Sequence, residues 1–300
     1  MRIKPKVIVI VGPTSSGKTE LSLKLAKKFN GVIISADSRQ IYKEMDVATA
    51  KTTKDEQQGI PHYMIDIVKP NEEFSLMLYQ NTVYNLLNKI AKHNSKSRQP
   101  IVPFVVGGTG LYVQSIVEGY KIPHTKPNPK LRMELEKLSL EKLATRLKKL
   151  DPKAKVDLKN KRRVIRAIEI LSTFGKISGV KKQSPDFDFL QIGIKLPRET
   201  LYQRIERKVE EMYKRGLVKE TKKLLSAEYD FSGPAFSALG YKHILSYLKN
   251  KITLKAALEL MKRDTKHFAK RQLTWFKRNR KIHWVENYPQ AESRIQNFLK

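Results

Sequence analysis

The residues best suited to chemistry lie near the N-terminus, in Gly12-Pro-Thr-Ser-Ser-Gly-Lys-Thr19. This segment fits the pattern of a phosphate-binding loop, whose glycines permit a tight turn with backbone N–H groups converging on phosphate oxygens. Lys18 supplies a mobile positive charge, and the hydroxyl of Thr19 can ligate Mg²⁺. The predicted diphosphate site is the whole loop: Gly12, Pro13, Thr14, Ser15, Ser16, Gly17, Lys18 and Thr19.

The loop pattern does not select one ligand, because any diphosphate or triphosphate satisfies the same physics. A kinase would bind ATP in this loop. A transferase with a diphosphate leaving group would use the same positive cage to stabilise the charge that develops as the carbon–oxygen bond breaks.

Two further side chains follow short apolar runs. Asp37 comes just after residues 32–34, and a carboxylate there suits a general base. From its position alone, Asp37 could also cap a helix or lie beside a magnesium ligand. Thr109 follows two glycines after residues 101–106, so its hydroxyl could contact a substrate or only cap the next helix.

The elements that must position these residues alternate between strand and helix, which predicts an α/β fold with a parallel sheet and right-handed crossovers. The candidate strands are 7–11, 32–34, 64–68, 101–106 and 190–196. The candidate helices are 21–29, 76–90, 131–150, 161–174, 204–214, 217–225, 254–260 and 265–275.

Between about residues 123 and 185 the apolar strand runs stop, and the sequence becomes helical and charged. This change predicts a helical insertion spanning 121–187 within a core made of 1–120 and 188–300. From residue 199 onward every strong pattern is helical, so the core should end in a set of C-terminal helices.

The charge balance points to a polyanionic partner. The chain has 60 Lys and Arg against 29 Asp and Glu, a formal net charge of +31, and such a field attracts nucleic acid before specific contacts form. A lysine-rich bias spread over a solvated surface would give the same count.

Composition also excludes several kinds of site and location. The chain has no cysteine, so disulfides, thiolate nucleophiles, iron–sulfur clusters and cysteine-based zinc sites are ruled out. The first apolar run, 7–11, is too short for a signal peptide or a membrane span. We therefore expect a cytoplasmic protein without membrane contact.

Several motifs spaced along the chain resemble those of the bacterial tRNA dimethylallyltransferases, a family also called tRNA isopentenyltransferases. Together with the loop they run in the family's order along nearly the whole chain. These motifs are Asp37-Ser-Arg-Gln-Ile-Tyr42, Met45-Asp-Val-Ala-Thr-Ala-Lys51, Gly59-Ile-Pro-His-Tyr63, Gly107-Gly-Thr-Gly-Leu-Tyr112, Arg163-Val-Ile-Arg-Ala-Ile-Glu169, Ala238-Leu-Gly-Tyr-Lys242 and Arg271-Gln-Leu-Thr-Trp275.

The resemblance implies a P-loop NTPase-like fold and transfer of a dimethylallyl group from dimethylallyl diphosphate to N6 of the adenosine 3′ to the tRNA anticodon. In that reaction Asp37 accepts the proton of the amine, Lys18 and Mg²⁺ at Thr19 take the diphosphate charge, and Thr109 contacts substrate. We also expect a monomer.

The resemblance further implies contacts with the tRNA anticodon stem-loop. Taken without the resemblance, the arginines of the insertion would more simply form a solvated surface. The implied tRNA-binding residues are Asp37, Ser38, Arg39, Gln40, Thr109, Arg132, Arg162, Arg163, Arg166, Leu239, Gly240, Tyr241, Lys242, Lys270, Arg271, Gln272 and Thr274.

Three other functions share parts of this pattern. An adenylate isopentenyltransferase would act on free AMP, ADP or ATP, but it would not need so high a charge or a basic insertion. A small-molecule kinase would use the same loop for phosphoryl transfer. A non-catalytic RNA-binding module would not need Lys18, Thr19 and Asp37 intact.

Overall fold

The computed structural model describes residues 4–123, 128–175, 181–227, 229–231 and 233–300. The chain divides into two compact units, one formed by residues 1–117 and 185–300 and the other by residues 118–184. The insertion predicted at 121–187 is displaced by three residues at each end from this second unit.

The first unit contains a six-stranded parallel sheet in the order β3-β2-β4-β1-β7-β8. This arrangement confirms the predicted α/β class. Its strands are β1 (Lys6–Val11), β2 (Gly31–Ser35), β3 (His62–Tyr63), β4 (Val102–Gly107), β7 (Asp188–Ile194) and β8 (Ile282–Val285), and the short β5 (Tyr120–Lys121) and β6 (Lys181–Lys182) pair antiparallel in the second unit.

Helices of the first unit flank its sheet, and the second unit is mainly helical in its described residues. Those of the first unit are α1 (Lys18–Lys28), α2 (Leu76–Asn94), α3 (Gly110–Val117), α7 (Arg198–Lys214), α8 (Leu217–Ser226), α9 (Leu239–Leu248), α10 (Leu254–Lys277) and α11 (Tyr288–Leu299). Those of the second unit are α4 (Pro129–Glu136), α5 (Leu140–Leu150) and α6 (Lys161–Phe174).

The central strand β1 is buried on both faces, as its continuous β-branched run predicts. Val7, Val9 and Val11 belong to the apolar cluster on one face of the sheet. Ile8 and Ile10 belong to the cluster on the other. Helices must therefore cover both faces, which leaves the strand ends as the places where polar loops reach solvent.

Four sequence predictions about elements were wrong or incomplete. Residues 64–68 are not a strand, because Met64 and Asp66 have positive φ of 64° and 56°, and the pairing strand is β3 just before them. The predicted helix 131–150 is two helices, since the hydroxyl of Ser139 accepts from the Lys142 N–H and starts α5. Conversely, 254–260 and 265–275 are one helix, α10.

Sequence patterns also missed β8, α9 and α11. β8 is only four residues long and pairs with β7 at the edge of the sheet. Its two buried residues, Ile282 and Val285, are too few to produce a recognisable period. The end of the chain therefore returns to the sheet instead of remaining purely helical.

The second unit has its own apolar core. Leu135 of α4, Leu143 and Leu147 of α5, and Val164 and Ile168 of α6 are buried together. Each of these helices begins with a side-chain cap. In α6 the side-chain oxygen Oδ1 of Asn160 accepts from the Arg163 N–H. The unit thus has a packed interior of its own.

Within the described ranges, no helix combines the length and apolar character needed to cross a membrane.

The buried tyrosine Tyr79 ties α2 to the strand that leads into the site. Its hydroxyl donates to the carbonyl oxygen of Ser35 at 3.1 Å, and its ring stacks on Tyr112 with centroids 3.8 Å apart. We predict that Tyr79→Phe lowers the free energy of unfolding by about 1 kcal/mol, because a buried acceptor loses its donor. Urea denaturation measures this change. Tyr213→Phe, at an exposed tyrosine, is the control and should leave stability within about 0.5 kcal/mol of the parent.

Candidate active site

Three loops of the first unit meet at the carboxyl edge of the parallel sheet. The phosphate-binding loop follows β1, the Asp37 segment follows β2, and the Gly108–Gly110 turn follows β4. β4 lies between β1 and β2, so the three loops are adjacent. Ligands of open α/β sheets bind in this position.

The phosphate-binding loop has the conformation that its sequence requires. Ser15 and Gly17 have positive φ of 61° and 90°, and α1 starts at Lys18. The hydroxyl oxygens of Ser15 and Ser16 are buried without a hydrogen-bond partner. Because buried polar groups are normally paired, these two hydroxyls indicate a place for the oxygens of a ligand.

Lys18 is folded back over this loop. Its Nζ donates to the Pro13 carbonyl oxygen at 2.6 Å. Burial lowers the pKa of Lys18 to about 8, and the nearby charge of Asp37 opposes that shift. An ammonium held on a neutral carbonyl can move to an anionic ligand at little cost, since it exchanges one oxygen acceptor for a charged one.

Asp37 and Thr109 are joined through Ser38. The Thr109 hydroxyl oxygen accepts from the Ser38 N–H at 3.0 Å, and the Thr109 N–H donates to the Ala36 carbonyl at 3.1 Å. Thr109 does precede α3, but its hydroxyl contacts Ser38 and does not cap its own helix. Asp37 does not start a helix: its Oδ1 accepts from the Arg39 N–H at 2.8 Å and closes a turn.

Arg39 and Gln40 are half-buried and engaged with neighbouring loops. The Arg39 guanidinium donates to the Pro234 carbonyl. The Gln40 amide oxygen accepts from the Ser35 hydroxyl at 3.3 Å, and its nitrogen lies 3.4 Å from the carbonyls of Thr49 and Ala50. The backbone of 49–50 therefore helps to set the orientation of Gln40.

Glu220 holds the loop that contains Asp46, Val47 and Ala48, a role that sequence reasoning missed. Its carboxylate accepts from the three backbone N–H groups of that loop at 2.7–3.0 Å and from the Tyr241 hydroxyl at 2.7 Å. Nothing in the sequence relates Glu220 to a loop more than 170 positions away. The contact exists only in the folded chain.

Lys51 secures the other end of the same loop. Only 5% of its side chain is exposed, and its Nζ donates to the Tyr42 carbonyl at 2.8 Å and to Asp46 at 2.6 Å, with Asp66 as a third partner. Lys51 ends one of the motifs that carry the resemblance, but the sequence analysis assigned no role to Lys51 or Asp66. Their physical role is to fix this loop.

The predicted RNA-contacting residues of the C-terminal helices differ in exposure. Lys242 of α9 and Lys270, Arg271 and Thr274 of α10 are exposed, whereas Leu239 is half-buried. Gly240, Tyr241 and Gln272 are buried in the described fold. RNA contact by all of these residues stays a prediction. In the described fold Tyr241 and Gln272 hydrogen-bond to other residues of the chain, and Gly240 packs next to Ala48.

The predicted RNA-contacting arginines of the second unit also differ: two bind a buried carboxylate, and two are exposed. Arg132 and Arg166 both bind the buried carboxylate of Glu169, at 2.7 and 3.2 Å. Arg163 makes an exposed ion pair with Asp157 at 3.2 Å, and Arg162 is exposed. Burial acts to raise the pKa of Glu169, but hydrogen bonds from Arg132, the Asn128 N–H and Arg166 hold it below its usual value.

Comparison with known proteins finds relatives from one family. Residues 40–279 match the family model for IPP transferase. A tRNA dimethylallyltransferase of Acetivibrio thermocellus is 44% identical over 97% of this chain and 96% of its own length. One from Halothermothrix orenii is 45% identical over 98% of this chain and 92% of its own.

Solved structures agree with these relatives. The full-length tRNA isopentenylpyrophosphate transferase of Bacillus halodurans has a TM-score of 0.73 and 37% identity, covering 99% of this chain and 96% of that one. A eukaryotic dimethylallyltransferase acting on tRNA has a TM-score of 0.76 and 29% identity, covering 94% and 74%.

The fold and these comparisons define a transferase with a P-loop NTPase-like fold, whose phosphate-binding-loop motif lies at the carboxyl edge of the sheet. The sequence matches extend along almost the full length of both partners. This chain belongs to the tRNA dimethylallyltransferase family of enzymes.

We predict that binding of a diphosphate ester weakens as pH rises above about 8, since neutral Lys18 no longer attracts the anion. The dissociation constant of an unreactive thio analogue of dimethylallyl diphosphate should increase by up to about tenfold per pH unit between pH 8 and 9.5. Isothermal titration calorimetry measures it. Lys18→Arg is the matched control, because a guanidinium stays charged throughout this range. An equal pH dependence in both proteins would contradict the assignment to Lys18.

We predict that Glu220→Gln loosens the loop at Asp46–Ala48, because an amide cannot accept all of the hydrogen bonds that the carboxylate takes. The free energy of unfolding should fall by about 1–3 kcal/mol. Hydrogen–deuterium exchange should accelerate at the amides of residues 46–48. Glu211→Gln, at an exposed site on α7, controls for the loss of a charge. Unchanged protection of those amides would show that Glu220 does not hold them.

Proposed function

We propose that this enzyme transfers the dimethylallyl group of dimethylallyl diphosphate to N6 of the adenosine 3′ to the anticodon in tRNA. The unpartnered, buried Ser15 and Ser16 hydroxyls beside Lys18 carry this proposal. Two unpaired hydroxyls in this loop suit phosphate oxygens, and the charge of Asp37 is close enough to act on Lys18. The family membership supports the choice of this reaction over phosphoryl transfer.

The loop binds the diphosphate that leaves. As the carbon–oxygen bond breaks, negative charge grows on the bridging oxygen, and the amides at the start of α1 together with Lys18 stabilise it. Lys18 moves from the Pro13 carbonyl to the phosphate oxygens in this step. Because Lys18 titrates near pH 8, it is charged under neutral conditions.

Asp37 receives the proton that the amine must lose as its nitrogen bonds to the allylic carbon. Its Oδ1 is committed to the Arg39 N–H, and no described residue hydrogen-bonds its Oδ2. We therefore assign this second oxygen, Oδ2, as the acceptor of the amine proton. The hydroxyl of Thr109 is hydrogen-bonded to the Ser38 N–H, so Thr109 helps to fix the position of the base relative to the substrate.

Magnesium is a suitable ion for this site. The described residues contain no cluster of three histidine or acidic side chains that would form a protein-only metal site. Thr19, on the first turn of α1, provides a hydroxyl oxygen, and Mg²⁺ commonly combines one such ligand with water and phosphate oxygens. When bound, the ion neutralises part of the diphosphate charge.

Exposed cations among the predicted tRNA-binding residues are the groups that contact RNA phosphates. In the first unit these predicted residues are Lys242, Lys270 and Arg271. In the second unit Arg162 is exposed and Arg163 is held only by an exposed ion pair, which contributes little to stability. Such side chains can exchange water or a weak partner for RNA phosphates, with release of counterions.

We predict that Asp37→Asn lowers the single-turnover rate of prenyl transfer by about 10²–10⁴-fold, because the amide cannot accept the proton. The turn should survive, since an amide oxygen can still accept from the Arg39 N–H. Mass spectrometry of nucleosides from treated tRNA measures the rate. tRNA affinity should stay close to that of the parent, and Asp55→Asn, at an exposed aspartate, is the control. A rate within threefold of the parent would remove Asp37 from the reaction.

We predict that Arg162→Ala reduces the dependence of tRNA affinity on salt by about one phosphate contact, a change of roughly 0.7–0.9 in the slope of log K against log salt. Filter binding at several salt concentrations measures this slope. Arg98→Ala removes an exposed arginine outside the predicted sites and should leave the slope unchanged. Equal slopes for Arg162→Ala and the parent would place the RNA elsewhere.

A further inference from the structure

Gln272 occupies an unusual position for a residue in a basic helix. Only 8% of it is exposed, although its neighbour Arg271 on α10 is exposed. Its amide oxygen accepts from the Thr14 N–H of the phosphate-binding loop at 2.8 Å, and its amide nitrogen donates to the Gly108 carbonyl at 2.8 Å. One side chain thus bonds to two of the three loops of the site.

The turn after β4 is shaped to receive this face of α10. A Cβ atom on Gly108 would lie 2.3 Å from the Gln272 amide nitrogen, and one on Gly110 would lie 2.3 Å from the Trp275 ring. Gln272 and Trp275 are three positions apart, so they project from the same side of the helix. The two glycines allow α10 to pack directly against the backbone on either side of Thr109.

Further contacts connect this turn to Asp37, the proposed base. Thr109, between the two glycines, accepts from the Ser38 N–H, and Ser38 follows Asp37. On the other branch, Thr14 lies four residues before Lys18 in the loop. Beyond the ends of the paired strands β1 and β4, the phosphate-binding loop and the turn that contains Thr109 are therefore bridged by a single amide.

We propose that Gln272 is a positioning residue for prenyl transfer, which sets the distance between the phosphate-binding loop and the Thr109 turn. This inference rests on the proposed function, because the separation matters only if the leaving group and the nucleophile are held by these two segments. It differs from a direct RNA contact, since Gln272 has almost no surface to offer to RNA. Displacing either loop by about 1 Å can cost on the order of 10²-fold in rate.

The first test replaces Gln272 by Met, which keeps the length of the side chain and removes both hydrogen bonds. The single-turnover rate at saturating tRNA and donor should fall about 10–100-fold, while the dissociation constant for tRNA stays within about twofold. Gln80→Met is the matched control: Gln80 is also buried, but it donates to the Ser115 carbonyl and touches neither loop. It should retain the parental rate.

The second test is a double-mutant cycle that asks whether Gln272 acts through Gly108. Gly108→Ala should displace the Gln272 amide and lower the rate to a similar extent, because its new methyl group overlaps that nitrogen. In the background of Gln272→Ala this overlap is removed, and the methyl group keeps only the 3.3 Å contact with the Gly12 carbonyl oxygen that it also makes in the parent background. If Gln272 acts through Gly108, the double variant should be no slower than Gln272→Ala alone. This cycle decides the matter even if Gln272→Met does not fold.

The outcomes are distinct. Additive losses in the cycle, a rate within threefold of the parent in Gln272→Met, or a loss of tRNA affinity as large as the loss of rate would each overturn the proposal. Absence of prenyl transfer to tRNA by the parent and by Gln80→Met would instead refute the proposed function. Normal transfer by both, with slow transfer by the Gln272 variants, supports the positioning role.

Discussion

The structure depends on a fully parallel sheet whose central strand is covered on both faces. β1 packs alternate residues into two apolar clusters, so no polar group can reach it from either side. The backbone groups at its carboxyl end are therefore the ones left to meet a ligand. β2 and β4 end at the same edge, and this brings Asp37 and Thr109 to the phosphate-binding loop.

That edge is fixed by side chains from distant parts of the chain. Glu220 accepts from the backbone of the loop at residues 46–48, Lys51 connects Asp46 of that loop to Asp66, and Gln272 joins the phosphate-binding loop to the turn after β4. Charged or amide groups suit this task because one carboxylate or amide satisfies several backbone groups at once. Preorganised loops of this kind reduce the reorganisation needed when substrates bind.

The basic charge of the chain has two different uses. Arg132 and Arg166 neutralise the buried carboxylate of Glu169 and so belong to the framework of the second unit. Removing either arginine would leave part of the buried charge of Glu169 uncompensated. These arginines therefore contribute to folding, whether or not they also contact RNA. Arg162 and the exposed residues of α10 remain available for a polyanion. Net charge alone does not make this distinction.

Sequence patterns alone were enough to predict the phosphate-binding loop, the α/β class, the family and the bounds of α6, because each depends on local patterns of residues. It failed for 64–68, where an apolar run is bent by positive φ at Met64 and Asp66, and for β8, which exists only through its pairing with β7. Tertiary structure alone decided that Tyr241 and Gln272 are buried, and that Glu220 and Gln272 hold the loops. Their partners lie far away in sequence, and no local propensity encodes a contact between segments that meet only when the chain folds.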